Sequence, residues 1–451
     1  MTNLALVVLA AGMGTRMKSD WPKVLHKVAS RSMLGHALSA GAALQPQTTV
    51  VIHGPDMEAV CNESARFIPD CKFAEQGERR GTGHAVSMAK DALQGFNGIV
   101  LILYGDVPLI QTTSLRALLD KIDAEHRMAV LGFEAANPHG YGRLITSETN
   151  ILAIREELDT SAKEKRIKLC NSGIIAIDTQ LLWRLIPQLS SNNAKKELYL
   201  TDMVELAVAE NASVALAVCD ESEVAGVNDR AQLAVIEQQF QKRYRAQAMV
   251  GGATLVDPST VFFAADTIVG QDVLIEPNVM FGPGVTIGDN VEILAFSHIE
   301  GATIGDGARI GPFARLRPGA VIGAAAHIGN FVEVKKSKIG KGAKANHLSY
   351  IGDAIVGAGS NIGAGTITCN YDGYEKHLTE IGENVFVGSN TALVAPVKIG
   401  NGVNIAAGSV ITADVPADAL ALSRSPLEIK AGWAKRYRAV KAARKAQKNK
   451  V

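Results

Sequence analysis

The chain has 451 residues, 47% hydrophobic and 20% charged, with 46 Lys+Arg against 45 Asp+Glu. That length serves two or more packed cores, and the near-neutral balance excludes a disordered polyelectrolyte. No apolar run reaches the roughly eighteen residues of a membrane helix, and Leu4–Ala11 lacks the basic flank of a signal peptide after Met1-Thr2-Asn3, so a cytosolic protein is expected. The cysteines (Cys61, Cys71, Cys170, Cys219, Cys369) are scattered without metal-ligand spacing and read as reduced thiols.

The first half alternates apolar runs with helical stretches. Leu4–Leu9, Thr49–Ile52, Ile99–Leu103 and Met128–Leu131 are short and almost wholly apolar, with helices predicted at Gly35–Leu44, Ala85–Leu93 and Thr113–Glu125. Continuous apolar runs mean strands buried on both faces, as in a parallel sheet flanked by helices. A doubly wound, Rossmann-like α/β domain over 1–228 follows, with its site at the carboxyl ends of the strands. At that edge, Leu9-Ala10-Ala11-Gly12-Met13-Gly14-Thr15-Arg16-Met17 ends the first strand and opens a Gly-rich loop. Glycines 12 and 14 let backbone N–H groups close on phosphate oxygens, and Arg16 and then Lys23, in Trp21-Pro22-Lys23, add charge. Taken alone, the two glycines fit a tight turn equally well. Ile99–Leu103 runs into Tyr104-Gly105-Asp106-Val107-Pro108, where Asp106 is either a turn cap or a hard oxygen ligand for Mg²⁺.

Residues 229–250, free of Pro and Gly, read as a linker helix. Beyond it, over 251–451, apolar residues recur every six: Val269 to Ile299, then Ile304 to Val334 in a new frame, then Ile381 to Ile411, often followed by Gly. Hexapeptide periodicity marks a parallel β-helix with the aliphatic residue pointing inward. Cys369–Thr379 breaks the period and is expected as a projecting loop. On period alone, the β-helix is a rigid spacer or an oligomerisation column. Polar clusters at Arg315–Gly319, Val334–Lys336, Lys344–Tyr350 and Asn361–Gly365 fit either a site for a phosphorylated sugar or a charge ladder that solvates the coil, since Arg317 and Lys335 are 18 residues apart, one turn of the coil, and so share a face. The tail from Lys430 carries nine Lys/Arg and no acid. It reads as a frayed, solvated segment, and no nucleic-acid binding is inferred.

The pattern L-A-A-G-x-G-T-R-M, then P-K, then G-D, resembles the sugar-nucleotide pyrophosphorylases, nucleotidyltransferases that join a sugar 1-phosphate to a nucleoside triphosphate. With the hexapeptide half, the resemblance narrows to the bacterial bifunctional N-acetylglucosamine-1-phosphate uridylyltransferase / glucosamine-1-phosphate N-acetyltransferase family, over Leu4 to about Arg424. It implies a left-handed β-helix, a homotrimer with sites between subunits, and UDP-N-acetylglucosamine synthesis for peptidoglycan and lipopolysaccharide precursors. By resemblance, the backbone of Leu9, Ala10, Ala11 and Gly12 with Arg16 and Lys23 holds the phosphates of UTP, while Gln76, Gly81 and Thr82 read the uracil. Tyr104, Gly105, Gly142, Glu156, Asn171 and Thr201 contact the sugar, and Asp106 and Asn228 hold Mg²⁺.

In the second half the resemblance makes His347 the general base and assigns Arg317, Lys335, Tyr350, Asn361 and Lys376 to glucosamine 1-phosphate. Ala364, Asn370, Tyr371, Ser389, Ala407 and Arg424 fall on the acetyl-CoA side. Met13, Cys170 and Leu200 depart from the family pattern without removing a charged group. Two other readings stand beside this one: a monofunctional nucleotidyltransferase with a scaffold β-helix, and a non-catalytic subunit.

Overall fold

The computed structural model describes residues 3–147 and 150–448. Met1, Thr2, Glu148, Thr149 and the end of the basic tail, 449–451, lie outside the described residues. The chain divides into two compact units, the first Met1–Gly251 with Pro258–Thr267 and Phe281–Pro283, the second Gly252–Asp257, Ile268–Met280 and Gly284–Val451.

The first unit carries, in chain order, β1 (Leu4–Leu9), β2 (Lys27–Val28), β3 (Arg31–Ser32), α1 (Met33–Ala42), β4 (Thr48–His53), α2 (Glu58–Phe67), β5 (Lys72–Glu75), α3 (Thr82–Ser87), β6 (Ile99–Tyr104) and α4 (Thr112–Leu119). It continues with β7 (His126–Glu134), β8 (Arg143–Ser147), β9 (Asn150–Arg155), β10 (Leu169–Asp178), α5 (Thr179–Leu185), α6 (Met203–Ala209), β11 (Ser213–Cys219) and α7 (Arg230–Val250). One sheet runs in the order β5-β4-β1-β6-β10-β7-β11-β9-β8. Strands β5, β4, β1 and β6 are parallel, as expected. β10 runs antiparallel to both β6 and β7, and β8 and β9 pair antiparallel, so the sheet is mixed. An apolar run reports burial on both faces and carries no signal of direction.

Alternate residues of β1 feed two cores. Leu6 and Val8 pack with Leu34, Leu38, Leu115 and Leu118 of α1 and α4. Ala5 and Val7 pack on the other face with Val86, Leu181, Leu182 and Met203 of α3, α5 and α6. The predicted helix Thr113–Glu125 ends early, at Leu119. Asp123 ends that segment by accepting from the backbone N–H groups of Glu125 and His126 (2.8 and 2.7 Å), the competition with helix typical of Asp. The apolar face of α7 is not free: Ile236 and Phe240 close a third core with Val28, Met33, Leu109 and Val227.

In the second unit, short parallel strands stack in three ladders. Inward positions fall in register, as in Ile293, Ile310, Ile328 and Ala345 along one ladder and Ile287, Ile304, Ile322 and Ile339 along another. The period of 17 or 18 residues is 20 in the first coil, where Leu255 pairs with Ile275, and 16 in the last, where Ile405 pairs with Ala421; it lengthens most where Val356 pairs with Ile381 and Ile362 with Val387. The extra residues are the projecting loop. Its base is narrower than expected, because Cys369 and Thr379 are themselves in strands. The basic tail, expected to be frayed, forms an exposed helix, α8 (Trp433–Lys448), in keeping with its Ala, Lys and Arg content.

His36 on α1 is buried, donates from Nε2 to the Val28 carbonyl (2.9 Å) and packs edge-on against Phe240. Burial, with Arg31 and Arg243 nearby, lowers its pKa from 6.5 to about 4 despite the Val28 bond. Below pH 6.5 the unfolded chain binds this proton and the folded chain does not, so stability is complete above 6.5 and is lost as pH falls toward 4. The loss should approach roughly 3 kcal/mol at about 1.4 kcal/mol per pKa unit. Denaturant titrations across that range should show a shallower slope for His36→Gln; an unchanged slope would contradict the assignment.

Candidate functional sites

β1 and β6 pair with Leu9 opposite Tyr104, and the Gly105 N–H donates to the Leu9 carbonyl (2.9 Å). Two loops 95 residues apart in the chain, one Gly-rich and one carrying Asp106, therefore leave the sheet side by side. The chain returns here before α7, where the Val227 N–H donates to the Asp106 carbonyl (3.1 Å). The Asn228 N–H is held by Gln232 Oε1 (2.7 Å), and Asp229 caps α7 by accepting from the Gln232 N–H (2.9 Å). Asn228 is thus brought to the sheet edge that its sequence position alone does not reveal.

The Lys23 ammonium lies between these segments, paired with Asp106 Oδ2 and 3.4 Å from Asn228 Oδ1. Its stem crosses Gly14, which sits at φ 67°, and a Cβ there would meet Lys23 Cβ at 2.4 Å. Gly12 is different, since a Cβ there meets nothing within 4 Å in the protein. Arg16 is exposed on a single turn, Thr15–Met17. A cavity of about 240 Å³ is lined by Leu9, Ala11, Gly12, Lys23, Gln76, Gly81, Thr82, Tyr104 and Asp106. Most residues named for the nucleotide therefore share one wall.

On that wall Gln76 is buried and donates from Nε2 to the Gly81 carbonyl (3.1 Å), and Gly81 opens α3 at φ 109°. The Leu200 N–H donates to Thr82 Oγ1 (3.0 Å). Arg79 lines the same cavity and donates from Nε to the Ala11 carbonyl (2.9 Å), yet sequence reasoning passed over it, because it lies in an irregular segment with no motif.

The antiparallel β10 begins at this edge. A bulge after Asn171 frees its side chain to accept from the Gly173 N–H (2.9 Å), and the Asn171 N–H donates to the Gly142 carbonyl (2.8 Å). Gly173 is at φ 86°, and a Cβ there would strike the Tyr104 ring at 2.7 Å. Thr201 donates to Glu156 Oε1 (3.1 Å), and that carboxylate lies 3.5 Å from where a Gly142 Cβ would stand. Burial raises the pKa of Glu156; burial and the Glu156 charge raise that of Tyr104. Of the residues outside the family pattern, Cys170 and Leu200 are buried in the cores and Met13 is exposed.

In the second unit His347 ends strand Lys344–His347 directly opposite Asn330. Its Nδ1 is 2.7 Å from Asn330 Oδ1, so the acceptor amide oxygen assigns the proton to Nδ1 and leaves Nε2 with the lone pair. Continuing the register of the next coils puts Ala364, Ser389 and Ala407 in the same column, and Arg424 donates to the Ala407 carbonyl (2.9 Å). Around the corner, Leu316 pairs with Val334, which stacks Arg317 on Lys335. Arg317 is bonded to Glu333 Oε1 (2.7 Å), a counter-ion that the sequence did not single out. Lys335 lowers the pKa of Lys376 by direct contact and charge, and Tyr350 acts electrostatically on Lys376 and on Arg317. Asn370 Nδ2 donates to Asp353 Oδ2 (2.5 Å), and Tyr371 bridges to Lys376 across the loop. Asn361 lies beside Lys344 on the ladder of His347.

Fold and site define a transferase with an NTP-transferase domain joined to a hexapeptide-repeat domain. The model of the MobA-like NTP transferase domain matches residues 6–167, and that of the bacterial transferase hexapeptide (six repeats) matches 266–301, 301–336 and 378–413. The chain is 53% identical to the bifunctional protein GlmU of Dinoroseobacter shibae, with 99% of each chain covered, and 53% identical to that of Paramagnetospirillum magneticum at the same coverage. It is 52% identical to the bifunctional protein GlmU of Zymomonas mobilis, over 96% of this chain and 97% of that one. It belongs to the family of the bifunctional protein GlmU.

Replacing Gly14 with Ala forces a β-carbon into the Lys23 stem and holds a side chain at φ 67°, a strain of roughly 1–2 kcal/mol. Denaturant titration should show Gly14→Ala destabilised by about that amount, since the strain exists only in the folded loop. Wild-type stability would contradict the placement of Lys23 against the loop.

Proposed function

We propose that the chain makes UDP-N-acetylglucosamine in two steps, acetylating glucosamine 1-phosphate from acetyl-CoA in the second unit and transferring uridylyl from UTP in the first. The observation that carries this reading is convergence: Lys23, Asp106 and Asn228 meet at one sheet edge, and Arg317, Lys335, Lys376 and Tyr350 meet beside the His347 corner.

In the acetyl step Arg317, Lys335 and Lys376 take the sugar phosphate, a better anion partner than the single carboxylate of Glu333. His347 Nε2 accepts a proton from the sugar amine as its nitrogen attacks the thioester carbon. The C–S bond breaks, and the proton passes to the departing thiolate. Asn330 is a positioning residue that fixes the tautomer through Nδ1. Asn361, Ala364, Asn370, Tyr371, Ser389, Ala407 and Arg424 serve the sugar and the coenzyme.

In the uridylyl step a phosphate oxygen of N-acetylglucosamine 1-phosphate attacks the α-phosphorus of UTP, and the bond to the β-phosphate oxygen breaks, releasing pyrophosphate. Gln76, Gly81 and Thr82 hold the uracil; Leu9, Ala10, Ala11 and Gly12 offer backbone to the phosphates, with Arg16 and Lys23. Tyr104, Gly105, Gly142, Glu156, Asn171 and Thr201 orient the sugar. Asp106 and Asn228 fit Mg²⁺, because two hard oxygens already converge on one cation and phosphates complete such a shell. Mg²⁺ held there would neutralise phosphate charge.

An exposed corner column, Phe296, Phe313, Phe331 and Leu348, supports self-association, with a trimer as the expected state. Its rings stack at 4.9 and 5.2 Å, and its residues take positive φ between 49° and 61°.

Two variants test the assignment. Asp106→Ala should abolish pyrophosphate release and leave thiol release intact. His347→Ala should cut thiol release by about 10²–10⁴ and leave uridylyl transfer intact. Loss of both activities in either variant would contradict two separate sites, and normal acetyl transfer in His347→Ala would reduce the β-helix to a scaffold.

A further inference from the structure

Lys23 holds a position that one cation alone can fill. Its ammonium has three donors and no acceptor, and it spends them on the two oxygens, Asp106 Oδ2 and Asn228 Oδ1, that the proposed function gives to a metal. Among the described residues Asp106 makes no other ion pair, so Lys23 is its counter-charge there. A magnesium ion about 2.0–2.1 Å from the same oxygens would overlap the ammonium, and even at 4 Å each pair of unit charges costs about 1 kcal/mol in water and about 4 at an effective dielectric near 20. The lysine must therefore leave before a metal is held.

The backbone shows where it can go. The stem is laid across Gly14, whose missing Cβ would lie 2.4, 2.9 and 3.0 Å from Lys23 Cβ, Cγ and Cδ. The near end is thus fixed, and the torsions beyond Cδ swing the head. The cavity that Lys23 lines continues to Ala11 and Gly12 of the Gly-rich loop, whose backbone N–H groups suit a phosphate.

We infer that Lys23 is a two-position cation: without nucleotide its ammonium occupies the point between Asp106 and Asn228, and a divalent metal is admitted when phosphates draw the lysine away. The inference rests on the metal reading of Asp106 and Asn228. It makes nucleotide and metal bind with positive coupling, and it keeps free metal off the nucleotide-free protein without letting the two oxygens drift apart.

The test is Mn²⁺ binding to the full chain without nucleotide, read from the electron paramagnetic resonance signal of free Mn²⁺. Lys23→Met, which removes the ammonium and adds no hard ligand, should bind Mn²⁺ roughly tenfold or more tightly than the wild type, within the usual range of coupling between sites. Added UTP should narrow that gap. Lys23→Gln serves as a second variant, and unfolding curves in chelator establish that both are folded. Equal or weaker Mn²⁺ binding by both folded variants, with binding abolished by Asp106→Ala, overturns the inference and leaves the metal reading standing. Tight binding by Lys23→Met that persists when Asp106→Ala is added overturns both.

Discussion

Parallel strand pairing is the constraint on which both units depend. In a parallel pair the carboxyl ends of both strands reach the same edge, so residues far apart in the chain leave the sheet together. Leu9 opposite Tyr104 does this for the Gly-rich loop and Asp106. In the second unit the same rule, applied every 17 or 18 residues, sets Asn330 against His347 and Arg317 above Lys335. A shift of register by one residue would turn every inward aliphatic residue outward and scatter both polar clusters.

Each cluster also carries its own counter-charge. Lys23 balances Asp106, Glu333 balances Arg317, and Asn330 orients His347. Lys23 and Arg317 are thus held by carboxylates whose place a phosphate can take, which keeps them converged at small cost, while Asn330 stays as the partner of His347. Arg143 shows the contrast: it is fully buried and ion-paired to Glu157 at 2.6 Å, a partner that no substrate reaches from the cavity of Gly12 and Lys23.

Much of this was legible in the sequence. The hexapeptide period specifies inward positions directly, because each coil repeats one environment, and the strands around Leu4–Leu9 and Ile99–Leu103 declare themselves by unbroken apolar character. The reversed direction of β10 was not legible, since burial on both faces looks the same in either orientation. Asn228 was named by resemblance, but its route to Asp106 rests on tertiary contacts that no motif announces, the Val227 N–H bond to the Asp106 carbonyl and the burial of Val227 among them. Arg79, Glu333 and Asn330 were missed because a polar residue in a loop or on an outer coil face carries no period. Arg315 pairs with Glu333 in register, but spacing gave no reason to prefer that glutamate over Glu300. The extension of the basic tail into a helix follows from propensity, which a reading based on charge alone overlooked.

The central claim is that one chain carries two independent chemistries. It is tested most directly by supplying the purified protein with glucosamine 1-phosphate, acetyl-CoA, UTP and Mg²⁺ and following free thiol and pyrophosphate separately. The account predicts release of both, with thiol release unchanged when UTP is omitted and pyrophosphate release lost when acetyl-CoA is omitted. Absence of thiol release in every mixture, with pyrophosphate formed when N-acetylglucosamine 1-phosphate is supplied, would contradict it.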